Sequence, residues 1–195
     1  MSKTLENACG IFHNPLFAPE YTHVLEFGVW KGDTLELIYN TVPTKYKIYG
    51  FDSFLGLPED WLETDYKKGS FSLNGIIPDK VKNLQNVKIF VGLFADTIPM
   101  YLKEAENIAL LHIDCDLYSS TIDILYSDIH KYIKPGTYII FDDWKYLAVW
   151  RKDIKNEGQH NQKAFKEWVR KFGVKYELLN TIEPFRQAIK ILKIR

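Results

Sequence analysis

Two pairs of aspartates carry the most chemistry in this chain. Asp114 and Asp116 close the apolar run Leu110-Leu111-His112-Ile113, and Asp142 and Asp143 close Tyr138-Ile139-Ile140-Phe141. Three carboxylates from two adjacent strand ends suit Mg²⁺, or another divalent cation, with positions left open for substrate. Clustered carboxylates repel and raise one another's affinity for protons, and a cation relieves that conflict. Asp116 has a second reading, as the cap of a helix starting near Ser119. His112 alternates with Ile113, and a core histidine bonded to backbone is a plainer reading of it than a ligand.

A second constellation lies upstream. Val24-Leu25-Glu26-Phe27-Gly28-Val29-Trp30-Lys31-Gly32 is a strand, an acid and a two-glycine turn into a helix. Glycines there let the backbone approach a ligand, and a helix N-terminus favours negative charge. Asp52 lies 20 residues after Gly32, the place for an acid that grips ribose hydroxyls. Together these residues describe an adenosine-type cofactor site. Trp30 occupies the middle glycine of the dinucleotide pattern and leaves less room for a pyrophosphate, which speaks against a nicotinamide-dependent oxidoreductase. S-adenosylmethionine, with one carboxylate and an ammonium, is compatible. The competing reading is an ordinary turn with exposed acids.

The elements that position these residues alternate. Strands are expected over 21–27, 47–51, 87–91, 108–113 and 138–141, with two closing strands over 174–179 and 188–192. Helices are expected from Asp33 or Thr34 as cap, over Pro78 to Leu84, and over Thr97 to Ala105 with Pro99 in the first turn. Another runs through Ile122, Leu125, Ile129 and Tyr132, capped by Ser119 or Ser120, and a last one carries Ala164, Phe165, Trp168, Val169 and Phe172. Residues 53–75 hold no sustained period and read as a flap with one short helical turn. Strands alternating with helices predict a doubly wound α/β fold with a mostly parallel sheet. Right-handed crossovers then put the strand-to-helix loops at one edge, where ligands bind. Glu26, Asp52, Asp96, Asp114 and Asp142 all fall at that edge.

Composition sets the outer bounds. The 195 residues suit a single domain, and 46% hydrophobic with 26% charged residues is that of a soluble globular protein. Zero net charge gives no bulk pull towards nucleic acid or an anionic membrane. No apolar run reaches the length of a membrane span. The two cysteines, Cys9 and Cys115, form no framework, and with a non-secretory N-terminus they fit the cytoplasm. Residues 1–20 read as an arm over the domain or part of a homo-oligomer contact. Trp30, Trp61 and Trp144 are open to two readings, pocket wall or packing. Lys145, Lys152 and Lys155 read as a solvated face, and for His160 an exposed surface position is a plainer reading than one reaching the site from above.

The runs Leu25 to Gly32, Asp52 to Pro58, Gly92 to Pro99, His112 to Ser120, and Pro135-Gly136 followed by Asp142-Asp143 occur in the order that resembles the macrocin O-methyltransferases. These are class I S-adenosylmethionine-dependent enzymes that methylate sugar hydroxyls of natural products. The resemblance covers about residues 20 to 190. It implies a Rossmann-like sheet of seven strands with the last antiparallel, Mg²⁺ dependence and a small-molecule hydroxyl acceptor. It also implies that Glu26, Gly28 and Gly32, with Trp30 between them, border the methionine part of S-adenosylmethionine. Asp52 and Ser53 would hold the ribose, and Phe94 and Ala95 would lie near the adenine. Asp114, Asp142 and Asp143 would be the metal ligands, by similarity to the related catechol and caffeoyl-CoA enzymes. Either Asp114 or Asp116 would be the base. Family members usually carry a longer N-terminal portion and lid than this chain offers.

Overall fold

A computed structural model describes residues 3, 7, 20–145 and 160–195. Strands β1 (His23–Phe27), β2 (Lys47–Asp52), β3 (Val87–Val91), β4 (Ile108–Ile113), β5 (Tyr138–Phe141), β6 (Lys175–Leu179) and β7 (Gln187–Lys193) form one sheet. Its order is β3-β2-β1-β4-β5-β7-β6. β1 to β5 pair in parallel, and β7 runs antiparallel to both β5 and β6. The reversal of strand order between β1 and β4 makes a crevice at the carboxyl edge of these two strands.

The central strands are buried along their whole length, as parallel strands covered on both faces must be. Alternation sorts their side chains. Leu25, Phe27, Leu111 and Ile113 pack with Ile98 and Tyr101 of α3 (Phe94–Tyr101), Ile124 of α4 (Tyr118–Leu125) and Trp168 of α5 (His160–Phe172). Val24, Ile48, Leu110 and Ile140 pack with Leu35 and Ile38 of α1 (Asp33–Thr41) and Val81 of the single-turn α2 (Asp79–Lys82). Glu26 and His112 alternate with Leu25 and Leu111, so they sit on the α1 side, as register partners.

Several helix boundaries differ from the sequence expectation. α1 has no side-chain cap; Gly32, at φ 82°, occupies the cap position and donates to Val29 O at 2.7 Å. A positive φ suits glycine, which has no Cβ to clash with the carbonyl. α3 starts at Phe94 rather than Thr97 and ends at Tyr101, so Pro99 falls inside it. The expected helix to Tyr132 is two pieces, α4 and a 3₁₀ turn over Asp128–Tyr132. Ser127 divides them, because its hydroxyl donates to Ile124 O at 2.6 Å and accepts from Ile129 N–H at 3.3 Å. α4 itself has no side-chain cap, and Leu117 stands at that position, so neither Asp116 nor Ser119 caps it.

Residues 53–75 form a compact loop without the expected helical turn. Leu57 exchanges backbone bonds with Ser70 and Gly69 at 2.9 Å, and Leu73 and Gly75 donate to Phe54 O at 2.9 Å. Leu57 and Trp61 make a small core of their own with Leu117, flanked by Tyr66 and Phe71. No described helix is long and apolar enough to cross a membrane. The expected N-terminal arm, apart from residues 3, 7 and 20, lies outside the described residues, as do Cys9, Lys152 and Lys155.

Candidate active site

A cavity of about 600 Å³ opens at the carboxyl edge of the sheet. Gly28, Trp30, Asp52, Ser53, Phe94 and Ala95 line one part of it. Asp114, Asp116, Asp142 and Asp143 line another, and Leu57, Trp61, Tyr66 and Phe71 supply an apolar wall from the 53–75 loop. The two constellations separated in sequence therefore share one chamber.

Each end is held by its strand. The Asp52 carboxylate, at the end of β2, accepts from Trp30 N–H and from Phe54 N–H, both at 2.7 Å. It thus ties the turn after β1 to the start of the 53–75 loop. Trp30 itself has a φ of 45° and meets Phe71 edge-on at 5.6 Å between ring centroids. Phe94 packs edge-on against Phe27 at 5.2 Å. Asp114 N–H donates to Phe27 O at 2.9 Å, continuing the β1–β4 ladder past the strand.

Two glycines are required by protein packing, and Gly28 also lines the cavity. A Cβ on Gly28 would stand 1.7 Å from Asp114 O, so only a glycine lets the ends of β1 and β4 lie this close. A Cβ on Gly32 would stand 2.6 Å from Val81 Cγ1. Neither Gly32 nor Glu26 lines the cavity. Glu26 is fully buried beneath it.

Glu26 is bonded to His112, whose Nδ1 lies 2.9 Å from Glu26 Oε1. His112 Nε2 lies 3.7 Å from Asp142 Oδ1. The fully buried His112 is therefore bonded to the Glu26 carboxylate and faces Asp142 at ion-pair distance, rather than being bonded to backbone as expected. Burial disfavours its charge, but Asp142 and Glu26 more than offset that and raise its pKa to about 10. Burial pushes the Glu26 carboxyl up, against the His112 bond.

The four aspartates divide by environment. Burial, then Asp142 and Asp143, raises Asp114 well above the usual carboxylate range. Burial and Asp116 do the same to Asp143, whose Oδ2 is buried without a hydrogen-bond partner. Burial and Asp114 lift Asp116 to about 7, against a bond with Asp143. Asp116 also holds a φ of 61°, a left-handed conformation that aspartate tolerates at some cost. Asp142 goes the other way. Burial raises it, but His112 and Arg186 outweigh burial and hold it low.

Oxygen atoms of Asp114, Asp116 and Asp143 all come within 4.8 Å of one another, and so do ligand atoms of His112, Asp114 and Asp142. The donors are hard oxygens, the acids raise one another's pKa, and one buried oxygen lacks a partner. These features fit a divalent cation. The expected trio of Asp114, Asp142 and Asp143 lines the cavity but is split between these two groups, and Asp142 is already paired with Arg186, whose Nε donates to its Oδ1.

Arg186 is the site residue that sequence reasoning missed. The signal for it lies in the register. Phe141 pairs with Gln187 across the antiparallel β5–β7 ladder, so the residue before β7 faces the acid after β5. Asp96, by contrast, is exposed on α3 and lines no part of the cavity, so with Glu26 buried beneath it, three of the five acids expected at this edge, Asp52, Asp114 and Asp142, line the cavity. Trp144 packs in the core with Phe141 and Phe165 rather than lining the cavity. His160, expected on the surface, is half-buried against Trp61 at 6.2 Å. Cys115 is buried as expected, with Sγ 3.5 Å from Thr121 Oγ1.

The model of the macrocin-O-methyltransferase (TylF) family matches residues 21–175. The chain belongs to that family. The matched span holds every cavity-lining residue and leaves Arg186 outside it. Among curated relatives, the demethyldecarbamoylnovobiocin O-methyltransferase of Streptomyces niveus is 28% identical over 139 residues, 62% of this chain and 52% of that protein. A tetracenomycin-C 4'-O-methyltransferase of Streptomyces olivaceus, acting on the 8-demethyl-8-(2,3-dimethoxy-α-L-rhamnosyl) compound, is 26% identical with the same coverage. The chain thus spans about half the length of the curated relatives it matches. The solved O-methyltransferase NovP superposes with a TM-score of 0.69 at 22% identity, over 97% of this chain and 79% of that one. That likeness establishes the Rossmann-like methyltransferase fold of this family member.

Proposed function

We propose that the protein is a Mg²⁺-dependent O-methyltransferase. Its donor is S-adenosylmethionine, and its acceptor is a hydroxyl of a small molecule, a sugar or glycosylated natural product. The observation that carries this reading is the shared cavity: the Gly28–Trp30 turn and Asp52 border the same space as the aspartate cluster with its unpartnered Asp143 oxygen. Family membership and the glycoside-modifying relatives support it.

When bound, S-adenosylmethionine supplies an electrophilic methyl group, and the cation supplies charge that favours a deprotonated hydroxyl. The remaining work falls to the chain. Gly28, Trp30, Asp52, Ser53, Phe94 and Ala95 would hold the donor, with Glu26 and Gly32 acting from beneath the turn. Asp114, Asp142 and Asp143 would hold the cation. Asp116 would take the acceptor's proton. Its pKa near 7 suits a general base at neutral pH. Leu57, Trp61 and Tyr66 would exclude water and orient the acceptor, so that positioning contributes to rate.

The test is label transfer from methyl-labelled S-adenosylmethionine to a panel of sugar and phenolic diols, with Mg²⁺ or with excess EDTA. Transfer should require Mg²⁺ and vanish in Asp143→Asn, while calorimetry shows that the variant still binds the donor. Equal rates in EDTA would remove the metal from the mechanism. Donor binding with no cation site in calorimetry would point instead to a non-catalytic binding subunit.

A further inference from the structure

Asp142 is the member of the aspartate cluster that the protein neutralises with its own cation. Arg186 Nε donates to Asp142 Oδ1, and His112 Nε2 stands 3.7 Å from the same oxygen. Among the described residues, no Lys or Arg forms an ion pair with Asp114, Asp116 or Asp143. Arg186 is not a loosely placed surface charge. Its side chain is 14% exposed and also stands 3.5 Å from Glu183 Oε1. Its neighbour Phe185 accepts a backbone bond from Lys145 N–H at 3.0 Å, which pins the β6–β7 turn to the segment just after Asp143.

We propose that Arg186 is an internal counter-ion that competes with the divalent cation for Asp142 and thereby sets how tightly this site holds a cation. The inference rests on the cation reading above and makes Arg186 a positioning residue. A carboxylate that serves a guanidinium gives less of its charge to a metal. The guanidinium also places a positive charge beside the ion's place. Removing it frees an oxygen ligand and removes a repulsion, and both effects tighten binding. An arginine needed only to hold Asp142 in place predicts the opposite, because its loss would leave a ligand misplaced.

The probe is Mn²⁺ alone, titrated into the full chain at pH 8 and read by the electron-spin signal of free Mn²⁺, without turnover. Arg186→Gln should bind Mn²⁺ about tenfold more tightly than the parent, by the loss of one nearby positive charge. Arg186→Lys keeps the charge and should stay within about threefold of the parent. Should Arg186→Gln fail to fold, Glu183→Gln decides the question. It leaves Arg186 to Asp142 alone and should weaken Mn²⁺ binding by about threefold. Parent binding with an unchanged or weaker Arg186→Gln, or an unchanged Glu183→Gln, overturns the counter-ion role alone. No Mn²⁺ binding by parent or variants overturns the cation reading and this role with it.

Discussion

Asp116→Asn should make the protein more stable while disabling it. In the folded chain the Asp116 carboxyl is raised from its ordinary value to about 7, chiefly by burial and the Asp114 charge. In the unfolded chain it ionises near 3.9. A carboxylate raised on folding favours the folded state at low pH and loses that advantage as pH climbs from about 4 to 7. The full shift corresponds to roughly 4 kcal/mol. The group lies at the cavity wall, partly open to water, so about 2 kcal/mol is a fairer expectation. Asparagine has no charge to lose and tolerates the φ of 61° that position 116 adopts. Urea unfolding in EDTA should therefore show Asp116→Asn ahead of the parent by about 2 kcal/mol at pH 8. The gap should shrink through pH 6 and close near pH 4. Methyl transfer by the variant should fall about 10²-fold or more if the carboxylate is the base. A variant less stable than the parent at pH 8, or a gap that does not change with pH, would refute this reasoning.

Two further outcomes follow from groups around the sheet. His23 is fully buried, its Nδ1 3.0 Å from Tyr101 OH, and burial lowers its pKa to about 4. The unfolded chain takes up this proton first, so stability should fall by about 3 kcal/mol as pH drops from 6.5 to 4; the slope should be smaller in His23→Gln, and an identical slope would rule the histidine out as its source. Gly28→Ala must place a Cβ where Asp114 O stands, at a φ of 94°; urea unfolding should show a loss of about 3 kcal/mol or more, with weaker Mn²⁺ binding as Asp114 shifts, and a loss under about 1 kcal/mol would mean that the turn yields.

Much of this architecture is written locally. The five parallel strands are short apolar runs closed by acid or glycine, and such runs announce themselves without a tertiary context. The same is true of the acids at the ends of β1, β2, β4 and β5, because the end of an apolar run is visible in sequence. Helix ends were less legible. Ser127 splits the segment after β4 with hydroxyl bonds that compete with the helix, and no periodicity reveals that choice. The pairing of Arg186 with Asp142 depends on β7 running back beside β5, a contact across 44 residues of sequence. The reading of His112 failed for the same reason, since its partners come from β1 and from the loop after β5.

Those long-range partners form a line across the sheet. Glu26 of β1 meets His112 of β4, His112 meets Asp142 beyond β5, and Asp142 meets Arg186 just before β7. Charges alternate along the line, and all but its Arg186 end are buried or nearly so. A buried carboxylate or imidazolium without its partner carries a large desolvation cost, so each member depends on the next. The line begins beneath the turn that carries Gly28 and ends beside the aspartate cluster. The Gly28–Trp30 turn and the aspartate cluster are thereby held on one frame of strand ends. The 53–75 loop is anchored beside this frame, through the Asp52 bond to Phe54 N–H and the Trp30–Phe71 ring contact. Its small core of Leu57 and Trp61 packs with Leu117, and Trp61 meets His160. That loop supplies part of the cavity wall from outside the sheet, whereas the geometry of the acid cluster is fixed by strands that carry the fold.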